Sequence, residues 1–180
     1  MTNGSGKQPG FIPIESIQWD SSWPGLASRN DEEAIFSYME QRFGLSRRCF
    51  DDHVLFKRNK SWWLLRKSPH IPEAAKLKVE AVGIRAFHKV GRFIKPTTRM
   101  VQCFGHLATR GIVRVNWAQL GRLASGEKLT IDLPLEDGYV ILSLQEGPIV
   151  GVGFWAKGRL RSQIPKKELR KEMFMTPSRV

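Results

Sequence analysis

Cysteine is scarce in this chain, and its scarcity excludes two classes of protein. Cys49 and Cys103 are the only cysteines among 180 residues, and they do not form a C-x-x-C pair. Two cysteines are too few for a disulfide scaffold, and without paired spacing they do not indicate a zinc site. Because free cysteines suit a reducing compartment, the expected localisation is cytoplasmic.

The sequence also lacks a long apolar run and a recognisable metal-ligand pattern. No stretch approaches the length of about 18 apolar residues that a membrane helix needs, and no signal-like segment stands near the start. We therefore expect no membrane partner. The histidines share no metal-ligand spacing with a third ligand close by, so no metal site is predicted. They are His53, His70, His88 and His106.

Negative charge is missing from a long central interval. Residues 81–126 hold eight lysines and arginines and no carboxylate, and the whole chain carries a net charge of +12. The excess is uneven, because residues 1–56 have five basic against eight acidic side chains. A single basic run is usually a solvated face. Here the basic runs coincide with a barrel-like strand pattern, which favours a nucleic-acid partner.

The most informative pattern in the chain lies in residues 138–170. β-branched and aromatic residues at 139–142 and 149–155 are separated by turn residues, and a second turn at 157–158 leads into a third strand. Gly151 and Gly153 share one face of the middle strand, which leaves that face without side chains. Such a face either makes room for a packed neighbour or receives a ligand, and both interpretations stay open.

Apolar spacing predicts two helices before residue 110. One begins at a capping box formed by Asn30 and Glu33, carries apolar side chains four residues apart, and ends at Gly44. The other begins with Thr97 or Thr98 as its cap. We assign the apolar side of each helix to the core.

Short strands are predicted on both sides of residue 110. Residues 54–56 and 62–65 flank a polar turn and predict a hairpin. Residues 77–81 alternate apolar and charged side chains, which favours a strand running to Gly83, although helical spacing fits them as well. The order after residue 110 is a strand at 112–115, a helix at 117–123 and a strand at 129–133.

Residues 138–170 resemble a known RNA-binding domain. Their order of GYVIL, GPIVGVG and IPKKELR is similar to the PUA-type domain at the C-terminus of RsmF-like and Sun-family ribosomal RNA cytosine-5 methyltransferases. Stand-alone ribosome-assembly factors that join a pre-PUA domain to a PUA domain show a looser version. The matching positions are Gly138, Tyr139, Gly151, Gly153, Arg161, Pro165 and Lys166.

The resemblance covers residues 30–172 and implies an α+β fold in two parts. An α/β pre-PUA-like domain is expected over residues 30–110 and a PUA-like β-barrel over residues 111–172. The remaining segments are expected to be a partly disordered lead-in at 1–29 and a tail at 173–180.

The catalytic parts of the resembling methyltransferases are missing from this chain. The Gly-rich turn with a following acidic residue, which a dinucleotide-type cofactor domain needs, does not occur. The family's catalytic cysteines follow proline and threonine, whereas Arg48 precedes Cys49 and Gln102 precedes Cys103. We therefore predict no catalytic residue, no cofactor and no enzymatic activity, and we expect Cys103 to be a buried core thiol.

The resemblance places RNA contacts on the cations around the last predicted strand. Phe154 and Trp155 are the aromatic residues available for base stacking in the glycine strand, and only one of them can face outward; Trp155 is assigned to stacking. Phe93, between Arg92 and Lys95, is a further aromatic residue available for stacking. A short helix is expected to begin at Pro165. The predicted contacts are Lys157, Arg159, Arg161, Lys166 and Lys167, with Arg92 and Lys95 as further candidates.

The sequence therefore predicts non-catalytic binding of structured RNA. The RNA is expected to be ribosomal RNA or its precursor, or a transfer RNA, and the chain is expected to act as a ribosome-assembly factor or to target a separate methyltransferase. Ribosomal proteins and that methyltransferase are the expected protein partners. The alternative is an interaction adaptor whose basic face meets an acidic protein.

Overall fold

The computed structural model describes residues 13–145, 147–165 and 168 of the chain. Within these residues ten strands form two five-stranded sheets, accompanied by helices. The prediction of a mixed α+β fold is confirmed. The predicted tail, most of the predicted terminal helix, and the candidate contacts Lys166 and Lys167 lie outside the described residues.

The first sheet is an antiparallel meander built from strands that follow one another in the chain. The predicted hairpin across residues 58–60 is confirmed, and its turn places Asn59 at a φ of 54°. Asparagine tolerates that left-handed conformation better than most residues do. The strands are β1 (Gly25–Leu26), β2 (His53–Arg58), β3 (Ser61–Arg66), β4 (Ile84–Val90) and β5 (Phe93–Pro96).

Helix α1 (Arg29–Phe43) packs one face on this sheet and begins two residues earlier than predicted. Its capping box is formed by Ser28 and Asp31 instead of Asn30 and Glu33. The Asp31 carboxylate also accepts a hydrogen bond from Lys57 on β2 at 2.9 Å, which fixes the start of the helix against the sheet. The predicted apolar stripe is buried, and the helix ends as predicted at a left-handed Gly44.

The strand predicted from residue 77 to Gly83 is wrong, because this segment bonds to the lead-in. The Trp23 indole donates to the Leu77 carbonyl at 3.0 Å, and the Val79 amide donates to the Ser22 hydroxyl at 2.8 Å. The predicted helical turn just before it is present as α2 (Ile71–Ala74). At Gly83 φ is 55°, and a Cβ would lie 2.1 Å from the Leu64 carbonyl oxygen, so only glycine fits before β4.

Helix α3 (Thr98–Phe104) follows β5 and is capped by the Thr97 hydroxyl, as predicted. Met100, Val101 and Phe104 face the core, whereas Leu107 lies beyond the helix and is exposed. Three short 3-10 helices lie at Ile14–Ser16, Arg47–Phe50 and Gly105–Leu107. None of the described helices has both the length and the apolar character that crossing a bilayer demands.

The second sheet contains the strongest predicted pattern, and its three consecutive strands are confirmed. Helix α4 (Trp117–Ala124), capped by Asn116 as part of a capping box, is likewise confirmed. The strand predicted at 129–133 is shorter than expected. The strands are β6 (Ile112–Val115), β7 (Leu129–Thr130), β8 (Gly138–Leu144), β9 (Ile149–Ala156) and β10 (Arg159–Ser162), in the order β6-β8-β9-β10-β7, with only β6 and β8 parallel.

Each face of the second sheet is buried against a different partner. One face packs Val140, Leu142 and Leu160 beneath α4. On the opposite face, Ile141 and Val152 belong to the same apolar cluster as α1, α3 and the first sheet. The two sheets therefore share one core, and a division into domains at residues 30–110 and 111–172 stays a prediction.

The bare face of β9 is explained by packing. A Cβ on Gly151 would lie 2.6 Å from Ile164, and a Cβ on Gly153 would lie 2.9 to 3.1 Å from three buried side chains. Both glycines are buried by their own chain. Of the two interpretations of this face, the structure supports room for packed neighbours.

Helix α1 is tied to the second sheet by Arg42. Its guanidinium donates to the Tyr139 carbonyl at 2.7 Å and to the Glu136 carbonyl at 2.9 Å. Gly138 between them has a φ of 152°, and a Cβ there would lie 3.2 Å from the guanidinium carbon. The Gly138-Tyr139 step thus makes room for Arg42.

Candidate nucleic-acid interface

The turn between β9 and β10 presents basic side chains at one end of the second sheet. Lys157 and Gly158 both have positive φ, at 49° and 72°, as a two-residue type I′ hairpin requires. The Lys157 amide donates to the Asp137 carboxylate at 2.9 Å, which holds the turn in place. The side chains of Lys157 and Arg159 are left exposed.

Four cations line a shallow groove of about 410 Å³ beside this turn, and we name it the basic groove. Its members are Lys128, Lys157, Arg159 and Arg161, with Ala156 between them. Among the described residues, no carboxylate oxygen lies within salt-bridge distance of any of the four. Their charge is therefore available to a polyanion.

Lys128 is the member of the basic groove that sequence reasoning missed. It directly precedes β7, which pairs with β10 from Leu129 to Leu160 and from Thr130 to Arg159. That antiparallel register continues towards Lys128 and Arg161 and places both at the same groove. The only sequence signal was a lysine before a short predicted strand, and the pairing of β7 with the last strand was not predictable from it.

Next to the groove, two cations lie on either side of a pair of aromatic rings, and we name this set the cation–aromatic row. Arg161 lies opposite Phe154 in the sheet, with its guanidinium 5.1 Å from the ring centroid. Phe154 lies opposite Tyr139, and their rings meet edge to face at 5.2 Å. Lys95 completes the row, with its Nζ atom 6.0 Å from the Tyr139 centroid. These distances suit cation–π attraction.

Lys95 reaches the row from the first sheet. Its Nζ donates to the Gln163 side-chain oxygen at 2.8 Å, just after β10. Partial burial lowers the pKa of Lys95 below its ordinary value, because desolvation disfavours the ammonium form. Burial also raises the pKa of Tyr139. The structure thus brings the candidate Lys95 to the same surface as Arg161.

Trp155 was assigned to base stacking, and that prediction is wrong. Its side chain is only 7% exposed, and its indole nitrogen donates to the Ile131 carbonyl at 3.1 Å. Since neighbouring residues of a strand point to opposite faces, the partly buried Phe154 points to the other face, where it packs against the core shared with the first sheet and lies beside Arg161. Trp155 belongs to the core under α4.

Arg92 lies in the turn between β4 and β5, away from the basic groove. It is exposed, and its guanidinium is 5.1 Å from the centroid of Phe93. Closer to the second sheet, a second groove of about 420 Å³ is lined by Arg85, Lys95 and Arg99. His88, also on its wall, shares a hydrogen bond of 2.9 Å with Ser61.

The cysteines and histidines form no metal-binding group in the described part of the chain. Cys103 is exposed on α3, so the prediction of a buried thiol is wrong, because its position lies at the solvent edge of the apolar side. Burial lowers the pKa of His53, whose ring packs edge to face on Phe104 at 5.3 Å. No group of three His, Cys, Asp or Glu side chains that could hold a metal ion occurs among the described residues.

Comparison with known proteins finds a distant curated relative. No protein-family model matches the chain. The ribosomal RNA small subunit methyltransferase F of Aeromonas salmonicida is 25% identical over 142 residues. That match covers 78% of this chain and 28% of the methyltransferase, so the chain spans less than a third of its relative's length.

Among solved structures, a similar chain is a hypothetical protein from the hyperthermophilic archaeon Pyrococcus horikoshii. The TM-score is 0.48 at 13% sequence identity, and the superposition covers 72% of this chain and 79% of that chain.

Replacing Trp155 by phenylalanine tests its assignment to the core. We expect Trp155→Phe to lower the free energy of unfolding by about 1 to 3 kcal/mol, since the Ile131 carbonyl loses its buried donor. The affinity of the folded protein for RNA is expected to stay within about twofold, a change below 0.5 kcal/mol. Urea denaturation and fluorescence anisotropy measure the two quantities. Unchanged stability with lost RNA affinity would restore Trp155 as a stacking residue.

Proposed function

We propose that this chain binds structured RNA, most specifically ribosomal RNA or its precursor, without catalysing a reaction. The observation that carries the proposal is the basic groove of Lys128, Lys157, Arg159 and Arg161, which has no carboxylate partners among the described residues. Lysine and arginine neutralise phosphates, and arginine adds bidentate and stacking contacts. The name of the relative, a ribosomal RNA methyltransferase, favours ribosomal RNA over other polyanions.

The proposal extends to the fold and to the role of the protein. We assign β6 to β10 and α4 to a PUA-like barrel and residues 30–110 to a pre-PUA-like unit, on the basis of strand order and the glycine pattern of β8 and β9. In this role the chain acts as a ribosome-assembly factor or guides a separate methyltransferase to its RNA. Its Lys95 would join Arg161 in contacting the bound strand.

An RNA titration against an acidic polypeptide tests the binding proposal. Labelled ribosomal RNA fragments are expected to bind with an affinity that falls steeply between about 50 and 200 mM salt, as phosphate contacts release counterions. Polyglutamate of equal charge is expected to bind far more weakly at each salt concentration, because it lacks bases and a regular phosphate spacing. Equal affinity for both polymers would favour the adaptor function instead.

The non-catalytic part of the proposal predicts that S-adenosylmethionine does not bind. The chain offers no Gly-rich strand-to-helix turn with a following acidic residue, so the cofactor's carboxylate and ribose would find no matched partners. Isothermal titration calorimetry is expected to show no saturable heat, and tritiated methyl groups are expected to stay off ribosomal RNA. A stoichiometric binding isotherm would overturn this part of the proposal while leaving RNA binding intact.

A further inference from the structure

The hairpin between β4 and β5 exposes apolar surface at its tip. Val90 lies opposite Phe93 in the register, and their side chains are 43% and 58% exposed. Among the described residues, the exposed large aromatic side chains are Phe93 and Trp117. The two side chains therefore form a small apolar patch at the tip, which a binding partner could cover.

A cation lies over the ring of Phe93, whereas no cation lies over the ring of Trp117 among the described residues. The Arg92 guanidinium lies 5.1 Å from the Phe93 centroid. No carboxylate occurs in the sequence from residue 81 to residue 126. An aromatic ring beside arginine is the combination that stacks on a nucleobase while the cation meets its phosphate.

Phe93 lies on the same face of the first sheet as Lys95, the member of the cation–aromatic row that this sheet contributes. Phe93 and Lys95 are two residues apart on β5 and therefore point to the same face. Lys95 continues to Tyr139, Phe154 and Arg161 through the contacts already described. One strand of nucleic acid would thus meet a ring at the hairpin tip and cations along the path to the basic groove.

We propose that an unpaired nucleotide of the bound RNA stacks on Phe93, while the same strand continues over Lys95 towards Arg161. This inference rests on the proposed function and narrows its substrate to a duplex that carries a single-stranded extension. Bases inside an A-form helix are stacked on one another, and the narrow major groove keeps side chains from reading them. A ring at a hairpin tip can therefore engage only a base that has left the helix.

A pair of RNA hairpins tests the inference. One carries a single-stranded 3′ extension of about eight nucleotides, within the usual size of a single-strand site, and the other has the same stem with a blunt end. The parent protein is expected to bind the extended RNA more tightly. Phe93→Ala is expected to weaken binding of the extended RNA by about 5-fold to 150-fold and to leave the blunt hairpin unchanged, while Phe93→Trp retains the preference.

Trp117→Ala is the matched control, because it removes an aromatic side chain of similar exposure from α4, where no cation lies over the ring among the described residues. It is expected to change neither affinity. Thermal unfolding of all variants checks that they fold. Phe93→Leu removes the aromatic ring but keeps an apolar side chain, so it distinguishes the effect of losing the ring from the effect of losing apolar surface.

The other possible results contradict either the stacking inference or the proposed RNA binding. Equal binding of the two RNAs by the parent, or an equal effect of Phe93→Ala on both, overturns the stacking inference and leaves RNA binding standing. If the parent binds neither RNA, the proposed function falls and the inference falls with it.

Discussion

Replacing Lys128, Arg159 and Arg161 together by alanine is expected to flatten the salt dependence of RNA binding. Each phosphate contact contributes a slope of about −0.7 on single strands and about −0.9 on duplex when log affinity is plotted against log salt. Loss of three contacts should therefore reduce the slope by about two to three. The three side chains have no carboxylate partners among the described residues, so removing them should leave stability nearly unchanged.

The control triple replaces Arg48, Lys76 and Lys78 by alanine and removes the same charge from exposed positions away from the basic groove. Cations at the β2–β3 hairpin are less suitable, because Lys57 bridges to Asp31 and Arg58 donates to the Ser22 carbonyl. The control is expected to keep the parent slope. If both triples flatten the slope equally, the protein acts through diffuse charge and the basic groove is not the binding site.

Replacing Gly153 by valine is expected to unfold or severely destabilise the protein. Its Cβ would lie 2.9 Å from Leu142 and 3.1 Å from Leu160 and Val140, and the two further methyl groups have no space in this cluster. Overpacking of this kind costs about 3 kcal/mol or more when neighbours cannot move. Circular dichroism and urea denaturation measure the loss.

Gly121→Ala supplies the comparison for this substitution. Gly121 lies in α4, and a Cβ there would meet nothing within 4 Å, so the change should be neutral or should stabilise by up to about 1 kcal/mol. A Gly153→Val variant that keeps the parent's stability but loses RNA binding would revive the ligand-approach interpretation of β9.

The elements predicted correctly from the sequence are those whose residues next to one another in the chain determine their structure. The run of β8, β9 and β10 was readable because its turns contain glycine and proline and its strands are rich in β-branched residues. Helix α1 was readable from its apolar spacing, but its cap was not. Ser28 and Asn30 both suit a helix start, and the bond from Lys57 on β2 to Asp31 favours the earlier one.

Contacts between distant segments account for the failures. The segment 77–83 alternates like a strand, yet its backbone is satisfied by Ser22 and Trp23, which no local pattern reveals. Because side chains alternate along a strand, Phe154 and Trp155 point to opposite faces of β9. The packing of α4 on one of these faces buries Trp155, and the sequence alone did not show this packing. The position of Lys95 beside Tyr139 depends on how the two sheets pack, so the cation–aromatic row was not predictable from the sequence.

The hydrogen bonds that Arg42 donates to the second sheet limit how this protein can be divided into fragments. All four cations of the basic groove follow residue 127, so a fragment beginning near residue 111 would carry every one of them. Such a fragment would expose Ile141 and Val152 to water and would lose the donor that satisfies the Tyr139 carbonyl. Aggregation is the expected fate of that exposed face. The basic groove is therefore not expected to work as a separate fragment, and its proposed role in RNA binding is best tested by point substitutions in the whole chain.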